Sequence, residues 1–397
     1  MEKSIPILFD EKKDCCGCGA CLNICPKHAI TMKEDECGFL YPVIDENKCI
    51  RCGLCKTVCS FQNSTEKNTP LEAYAGITKN QDVLKKSSSG GMFAQIAIYV
   101  LSKRGIIYGA SLLEDFSVHH IKIETVEDLK FLQGSKYTQS STLETFKDCL
   151  NSLKEGRFVL YSGTPCQIAG LKGFLKKDYE NLVTVDIVCH GVPNNKMFKE
   201  YMSLMEERQN GKIENFLFRD KEIGWGINGS FLVKNQKKKV WESASSYLYY
   251  FTKGEIYRDS CYCCKYTCEH RPGDITLGDY WGVEKQHDAW IKKEDIDLSR
   301  GVSAIIANTD KGKEILSMIK PELVYCPSSF EQVAQGNKQL RTPTKCTKRD
   351  ELLSLYEVGG WKSVDERFKK NIGIHFYSSQ IKSMIPKKVK KIIKKYR

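Results

Sequence analysis

The chain lacks any apolar run long enough to cross a bilayer. Even residues 92–101 are short for that purpose and lead straight into Lys103 and Arg104, so transmembrane functions are excluded. A leader of the basic, apolar and small-residue kind is also missing from its start. There is no internal repeat apart from one doubled cysteine motif. The last 21 residues hold no acidic side chain but eight basic ones, Lys382, Lys387, Lys388, Lys390, Lys391, Lys394, Lys395 and Arg397. The formal net charge of +12 is therefore concentrated at one end, and the other 376 residues carry only +4. A body so nearly balanced gives no footing for a nucleic-acid platform.

What the sequence does hold is cysteine, 19 in 397 residues. With no leader, that number predicts a reducing, cytoplasmic setting in which thiolates bind metal, and it speaks against a secreted disulfide scaffold. The hydrophobic fraction of 41% and charged fraction of 28% leave room for a sizeable core. The length exceeds what one core fills, so a small module joined to a larger α/β body is expected. Residues 14–61 are dense in cysteine and glycine, and the polar stretch 62–70 (QNSTEKNTP) reads as a linker. Beyond it, residues 73–78, 105–112, 158–161 and 182–188 read as strands. Residues 92–102, 143–153, 168–175 and 197–206 read as helices. That alternation predicts a layered α/β fold around a buried sheet. Near Thr342 the sequence turns Lys-rich and irregular.

Cys15, Cys18, Cys21 and Cys25 stand at C-x2-C-x2-C-x3-C, followed by Pro26, and Cys49, Cys52, Cys55 and Cys59 repeat the spacing. Three thiolates two residues apart can wrap three corners of a cubane, while the fourth lies beyond a turn and reaches the other cluster. The expected sets are Cys15, Cys18, Cys21 and Cys59 for one 4Fe-4S cluster, and Cys49, Cys52, Cys55 and Cys25 for the second. Gly17, Gly19 and Gly53 suit the tight backbone between ligands. Zinc is the alternative, but a structural zinc site uses two separated C-x2-C hooks, not four cysteines in one short run. Ser60 stands where the second run would carry proline, and Cys16 and Cys37 are spare thiols.

Four body segments make unusual residue choices. Ser87-Ser88-Ser89-Gly90-Gly91 runs into an apolar helix and offers amides and hydroxyls at its N-terminus, a place for an anion. Gly134-Ser135-Lys136-Tyr137 offers hydroxyls, a cation and an aromatic face. Either segment can equally be a plain turn or cap. Gly163-Thr164-Pro165-Cys166-Gln167 follows a strand, where α/β folds put their ligand crevices. Cys189-His190-Gly191 also follows a strand, and with Cys261, Cys263, Cys264 and Cys268 ahead of Arg271-Pro272-Gly273-Asp274 it could build one further metal centre. His190 reads as structural, Asp274, Asp279 and Trp281 as turn-fixing, and Cys149, Cys326 and Cys346 as ordinary thiols.

In these segments the chain resembles the family formed by the beta subunits of coenzyme F420 hydrogenases and dehydrogenases. SSSGG, GSKYTQS, GTPCQIAGLK, DIVCHGVP and a C-x2-C followed by RPGDITLGDYWG occur in the family's order over roughly residues 71–335. The resemblance implies residues 1–62 as the two-cluster ferredoxin-type domain and 63–72 as linker. Residues 73–155 and 156–345 become the N- and C-terminal parts of a flavin-binding family domain, and 346–397 a C-terminal extension. It implies FAD, with Ser88, Ser89, Gly90, Gly91, Gly134, Ser135, Lys136, Tyr137, Gly163 and Thr164 as contacts. It further implies a third 4Fe-4S cluster on Cys166, Cys189, Cys261 and Cys264, against which a zinc knot of Cys261, Cys263, Cys264 and Cys268, or inert buried thiols, stay open.

The resulting expectation is an iron-sulfur flavoprotein oxidoreductase. It would pass electrons between clusters and FAD, and then to coenzyme F420 or another small acceptor, exchanging them with a redox partner protein or small electron carrier. Relatives of this layout occur beside surface-polysaccharide enzymes, which adds sugar-linked substrates to the acceptors. The alternative is a non-catalytic electron-transfer subunit docked on a separate enzyme. No catalytic side chain is assigned, because flavin chemistry needs chiefly an oriented ring. Val389, Ile392, Ile393 and Tyr396 recur at helical spacing among the cations of residues 377–397. This segment reads either as a helix lying on the inner face of an anionic membrane, each cation contributing ~1 kcal/mol, or as a solvated terminus.

Overall fold

Strict alternation of buried side chains organises the body. In the strands around 106–108 and 159–161, Ile106, Tyr108, Val159 and Tyr161 face one layer of core, while Ile107 and Leu160 face the other, the two-residue period of a sheet covered on both faces. The computed structural model describes residues 4–63 and 68–373. Its strands are β1 (Ile30–Glu34), β2 (Leu40–Ile44), β3 (Glu72–Thr78), β4 (Ile106–Leu112), β5 (Val118–Ile123), β6 (Val159–Gly163) and β7 (Leu182–Ile187). They continue with β8 (Ile213–Leu217), β9 (Gly229–Val233), β10 (Gln236–Val240), β11 (Ile275–Asp279), β12 (Ser303–Ala307) and β13 (Leu323–Ser328). Eight of them form one mixed sheet in the order β13-β3-β12-β11-β7-β6-β4-β5. Its centre, β11, β7, β6 and β4, is parallel, and antiparallel strands complete both sides. The carboxyl ends of the four parallel strands thus open on one edge, where ligands of α/β sheets sit.

Helices Met92–Ser102 and Asp310–Ile319 cover one face, and Thr145–Lys154 and Pro165–Leu175 the other. The helix Pro165–Leu175 begins as its sequence dictates. Pro165 takes the first turn, and Gln167 Oε1 accepts from both the Thr164 amide and hydroxyl at 3.0 Å, a reciprocal cap of the Thr-x-x-Gln type. A smaller antiparallel sheet, β10-β9-β8, packs with helices Asn195–Gln209 and Ser246–Lys253.

The cysteine-rich segment is built into these cores. Cys16, Cys18, Ala20 and Val58 are buried with Phe146, Ile168 and Leu171 of the body. Cys37, Phe39 and Tyr41, beside the β1-β2 hairpin, are buried with Phe198, Tyr247 and Trp361. The Lys-rich, irregular reading past Thr342 needs correction: Arg349–Ile372 is helical, broken at Gly359–Gly360, and it buries Leu352, Tyr356, Trp361, Val364 and Phe368. Among the described residues no helix is long and apolar enough to cross a membrane. The basic segment 377–397, with its membrane expectation, lies outside the described residues.

Candidate functional site

Each cysteine run is folded by a left-handed glycine. Gly19 (φ 78°) starts the short helix Ala20–Ile24 after Cys18, and Gly53 (φ 76°) starts Leu54–Thr57 after Cys52. This backbone turn suits glycine, and it throws the flanking thiols to one side. Cys21 is pushed above the ordinary thiol range first by burial and then by the neighbouring sulfurs of Cys15 and Cys59. Cys15 is raised by burial, and Cys59 lies among its neighbours too. Cys55 is raised by burial and then by Cys52 and Cys49. Cys25 lines one small niche together with Cys49, Cys52 and Cys55. Cys59 is therefore brought to the first run and Cys25 to the second. Cys52 is exposed, whereas Cys18 and Cys55 are buried.

A third group of four thiols gathers from three separate segments. Cys166 opens the helix after β6, Cys189 follows β7, Cys261 ends a 3-10 turn at Asp259–Cys261, and Cys264 lies three residues on. Burial pushes Cys189 up to about 12, with Cys166 and Cys264 adding to it, and pushes Cys264 up to about 12 with Cys166 adding. Cys261 is raised by burial and then by Cys189, Cys264 and Cys166. Cys263 and Cys268 are directed elsewhere. Cys263 donates to the carbonyls of Lys13 and Ser260 at 3.8 Å, and Cys268 to those of Lys265 and His270 at 3.5 and 3.2 Å. Among the described residues no three His, Cys, Asp or Glu side chains are set to hold a single metal ion.

Cys16, a spare thiol by its spacing, is buried beside Cys166. That neighbouring sulfur and burial hold Cys166 well above its usual range. Cys37 donates to Glu357 Oε1 at 3.2 Å, and Cys149 lies in the core.

The Cys189 turn also walls a cleft of about 320 Å³ at the carboxyl ends of β4, β6, β7 and β11. Ser88, Ser89, Gly91, Gly134, Ser135, Lys136, Tyr137, Gly163 and Thr164 line it. Gly90 stands behind the wall. A Cβ there would meet the Gly76 carbonyl at 2.2 Å, and its amide donates to Ser303 Oγ. The Lys136 ammonium donates to the carbonyls of Phe131, Leu132 and Gln133, and burial pulls its pKa down to about 7. Tyr137 stacks on Phe251 with ring centroids 4.4 Å apart, and Ser135 Oγ donates to Ser88 Oγ. His120 bridges Ser140 Oγ (2.7 Å) and the Ser162 carbonyl (2.9 Å), and burial lowers it to about 4, so it is neutral. Asp279 and Trp281, read from the sequence as turn-fixing, line the cleft together with Arg219, which the sequence did not single out. Arg219 pairs with Asp279 (Nη2 to Oδ1, 3.1 Å), and Trp225 stacks on Trp281 at 4.7 Å while donating to Asp279. Asp274 is structural, accepting from the Thr184 amide and hydroxyl and from Thr309. Asp186 accepts from Arg271 in a fully buried pair at 2.7 Å.

Residues 156–328 match the family described as coenzyme F420 hydrogenase/dehydrogenase, beta subunit, carboxyl terminus, and residues 14–63 match the 4Fe-4S dicluster domain. The chain is 20% identical over 343 residues to the F subunit of the F(420)H(2) dehydrogenase of Methanosarcina mazei, covering 77% of this chain and 88% of that relative. A chain of the F420-reducing [NiFe] hydrogenase complex from Methanosarcina barkeri is 16% identical, with a TM-score of 0.45 over 78% of this chain and 95% of that one. Two stretches of the chain thus match known domains, the first the 4Fe-4S dicluster domain and the second the carboxyl-terminal domain of coenzyme F420 hydrogenase/dehydrogenase beta subunits.

Proposed function

We propose that this chain is an iron-sulfur flavoprotein that moves electrons between a partner protein at its exposed cysteine run and a small acceptor in the cleft. The observation that carries the reading is continuity. The exposed run around Cys52 adjoins the buried run around Cys18, Cys16 joins that run to Cys166, and Cys189 borders the cleft. The donor sets fit iron: eight thiols in two groups, each held by glycine turns, and four more on Cys166, Cys189, Cys261 and Cys264. A cubane spreads its thiolates round a box of iron and sulfide, wider than a single ion, and the outward thiols of Cys263 and Cys268 disfavour the zinc knot.

The cleft fits FAD. Its volume of about 320 Å³ falls within the ~300–1,000 Å³ of small-ligand pockets, and it has helix-terminal amides at Met92 and small residues at Ser88, Ser89, Gly91 and Gly134 for phosphates. When bound, FAD would supply the step between one-electron clusters and a two-electron acceptor. The chain's own part is to hold that ring. Tyr137 and Trp281 give aromatic walls, neutral His120 fixes the β6 turn, and the Arg219-Asp279 pair closes the mouth. Coenzyme F420 is the acceptor suggested by the named relative, which is itself called a subunit and so supports a larger redox assembly.

Anaerobic purification tests this directly. The expected material is yellow-brown, with about one FAD and about twelve irons per chain. Cys264→Ser should lose about four irons while Cys263→Ser keeps them. Iron without flavin would move the assignment to an electron-transfer subunit with no active site of its own. Equal loss in both serine variants would restore the zinc knot.

A further inference from the structure

We infer that Arg258 raises the reduction potential of the cluster held by Cys15, Cys18, Cys21 and Cys59, and so favours electron flow to it from the exposed one. The inference rests on the cluster reading above. Arg258 comes from the body, yet it is 0% exposed and its Nε donates to the Cys15 carbonyl at 2.8 Å. Its Nη2 points at Cys15 Sγ from 3.8 Å, its Nη1 meets Gln139 Oε1 at 3.3 Å, and its Cζ lies 4.0 Å from the centre of the Tyr41 ring. Gly17 makes room for it, since a Cβ there would lie 3.0 Å from Nη1.

Among the described residues the guanidinium forms no ion pair with a carboxylate. The groups that hold its charge in place are Cys15, Tyr41, Cys16 and Cys261. A buried cation without a counter-ion is costly, so the position is intelligible only if an anion is built against it. A thiolate-ligated cluster is that anion, and reduction adds one further negative charge beside the guanidinium. A fixed positive charge and an N–H aimed at a ligand sulfur both favour the reduced form. Cys49, Cys52, Cys55 and Cys25 are not among the groups acting most strongly on Arg258, so its charge favours reduction of the first cluster over that of the second. The guanidinium thus draws an electron arriving at the exposed cluster toward the buried one, and Cys261 places the same cation near the third thiol group.

The test is an anaerobic redox titration of the full-length holoprotein by low-temperature paramagnetic resonance. Cys15→Ser and Cys52→Ser variants assign the signals, since each perturbs its own cluster. Arg258→Gln should lower the reduction constant of the first cluster at least tenfold, about 59 mV toward negative potential for one electron, and leave the exposed cluster where it was. Arg258→Lys, which keeps the charge, should recover most of that shift. If Arg258→Gln fails to retain iron, Gln139→Glu sets a carboxylate against the same guanidinium and should lower the same potential. Unmoved potentials in iron-replete variants, equal shifts in both clusters, or a lysine variant as displaced as the glutamine one would overturn the inference. Wild-type protein without iron would instead sink the cluster reading itself.

Discussion

Replacing Gly170 by alanine sets two known effects against each other. Gly170 lies inside the helix Pro165–Leu175, where alanine normally stabilises by ~1 kcal/mol. Here a Cβ would sit 2.7 Å from Cys18 Sγ and 2.9 Å from Cys18 Cβ, distances at which something must shift. Both groups are in a packed core that includes Phe146 and Leu171, and overpacking of that kind costs about 1–3 kcal/mol. The net expectation is a loss of up to about 2 kcal/mol, accompanied by disturbance of the cluster proposed on Cys18. Anaerobic guanidinium unfolding followed by circular dichroism gives the first quantity. Iron content and visible absorbance give the second. A variant that gains about 1 kcal/mol, keeps its full iron and shows unaltered spectra refutes the reasoning, because helix propensity alone would then have decided the outcome.

Asp186→Asn should cost about 3–5 kcal/mol, since it leaves Arg271 charged and buried without its carboxylate and takes an acceptor oxygen from among those that Thr276 and the Gly273 amide use. Thermal unfolding measures it, and a loss below about 1 kcal/mol would deny the pair its role. His120 makes stability fall with acid. Its folded pKa of about 4 lies below the unfolded value of ~6.5, so its contribution is fully present above pH ~6.5 and is lost as pH falls toward 4. About 1.4 kcal/mol should be gone by pH 5.5. Unfolding midpoints of wild type and His120→Gln between pH 7.5 and 5.5 check this, and parallel slopes would contradict it.

The central strands and the helices Met92–Ser102, Thr145–Lys154, Pro165–Leu175 and Asn195–Gln209 were legible because local pattern carries them. Apolar runs and helical spacing need no distant partner to be recognised. The helix Arg349–Ile372 escaped notice because Gly360 (φ 60°) resets its phase, so Tyr356 and Trp361 fall on one buried surface without a steady period. The cysteine spacing announced the thiol groups, but spacing alone made Cys16 a spare. Its neighbour Cys166 is 150 positions away and is joined to it only by the fold. Arg258 was invisible for the same reason, lying 243 positions from Cys15. Lys136 looked like a ligand-facing cation in sequence, whereas its ammonium is spent on helix-end carbonyls.

The sharing of core between the cysteine-rich segment and the body ties assembly of the whole chain to metal supply. Cys18 and Val58 press on Gly170 and Gly173 of a body helix, and Phe39 and Tyr41 fill the layer beneath Trp361. A polypeptide that misses its inorganic cargo at synthesis would therefore carry defects in two separate hydrophobic layers. Starvation for iron would remove the full-length chain by degradation instead of leaving a competent body that waits to be loaded.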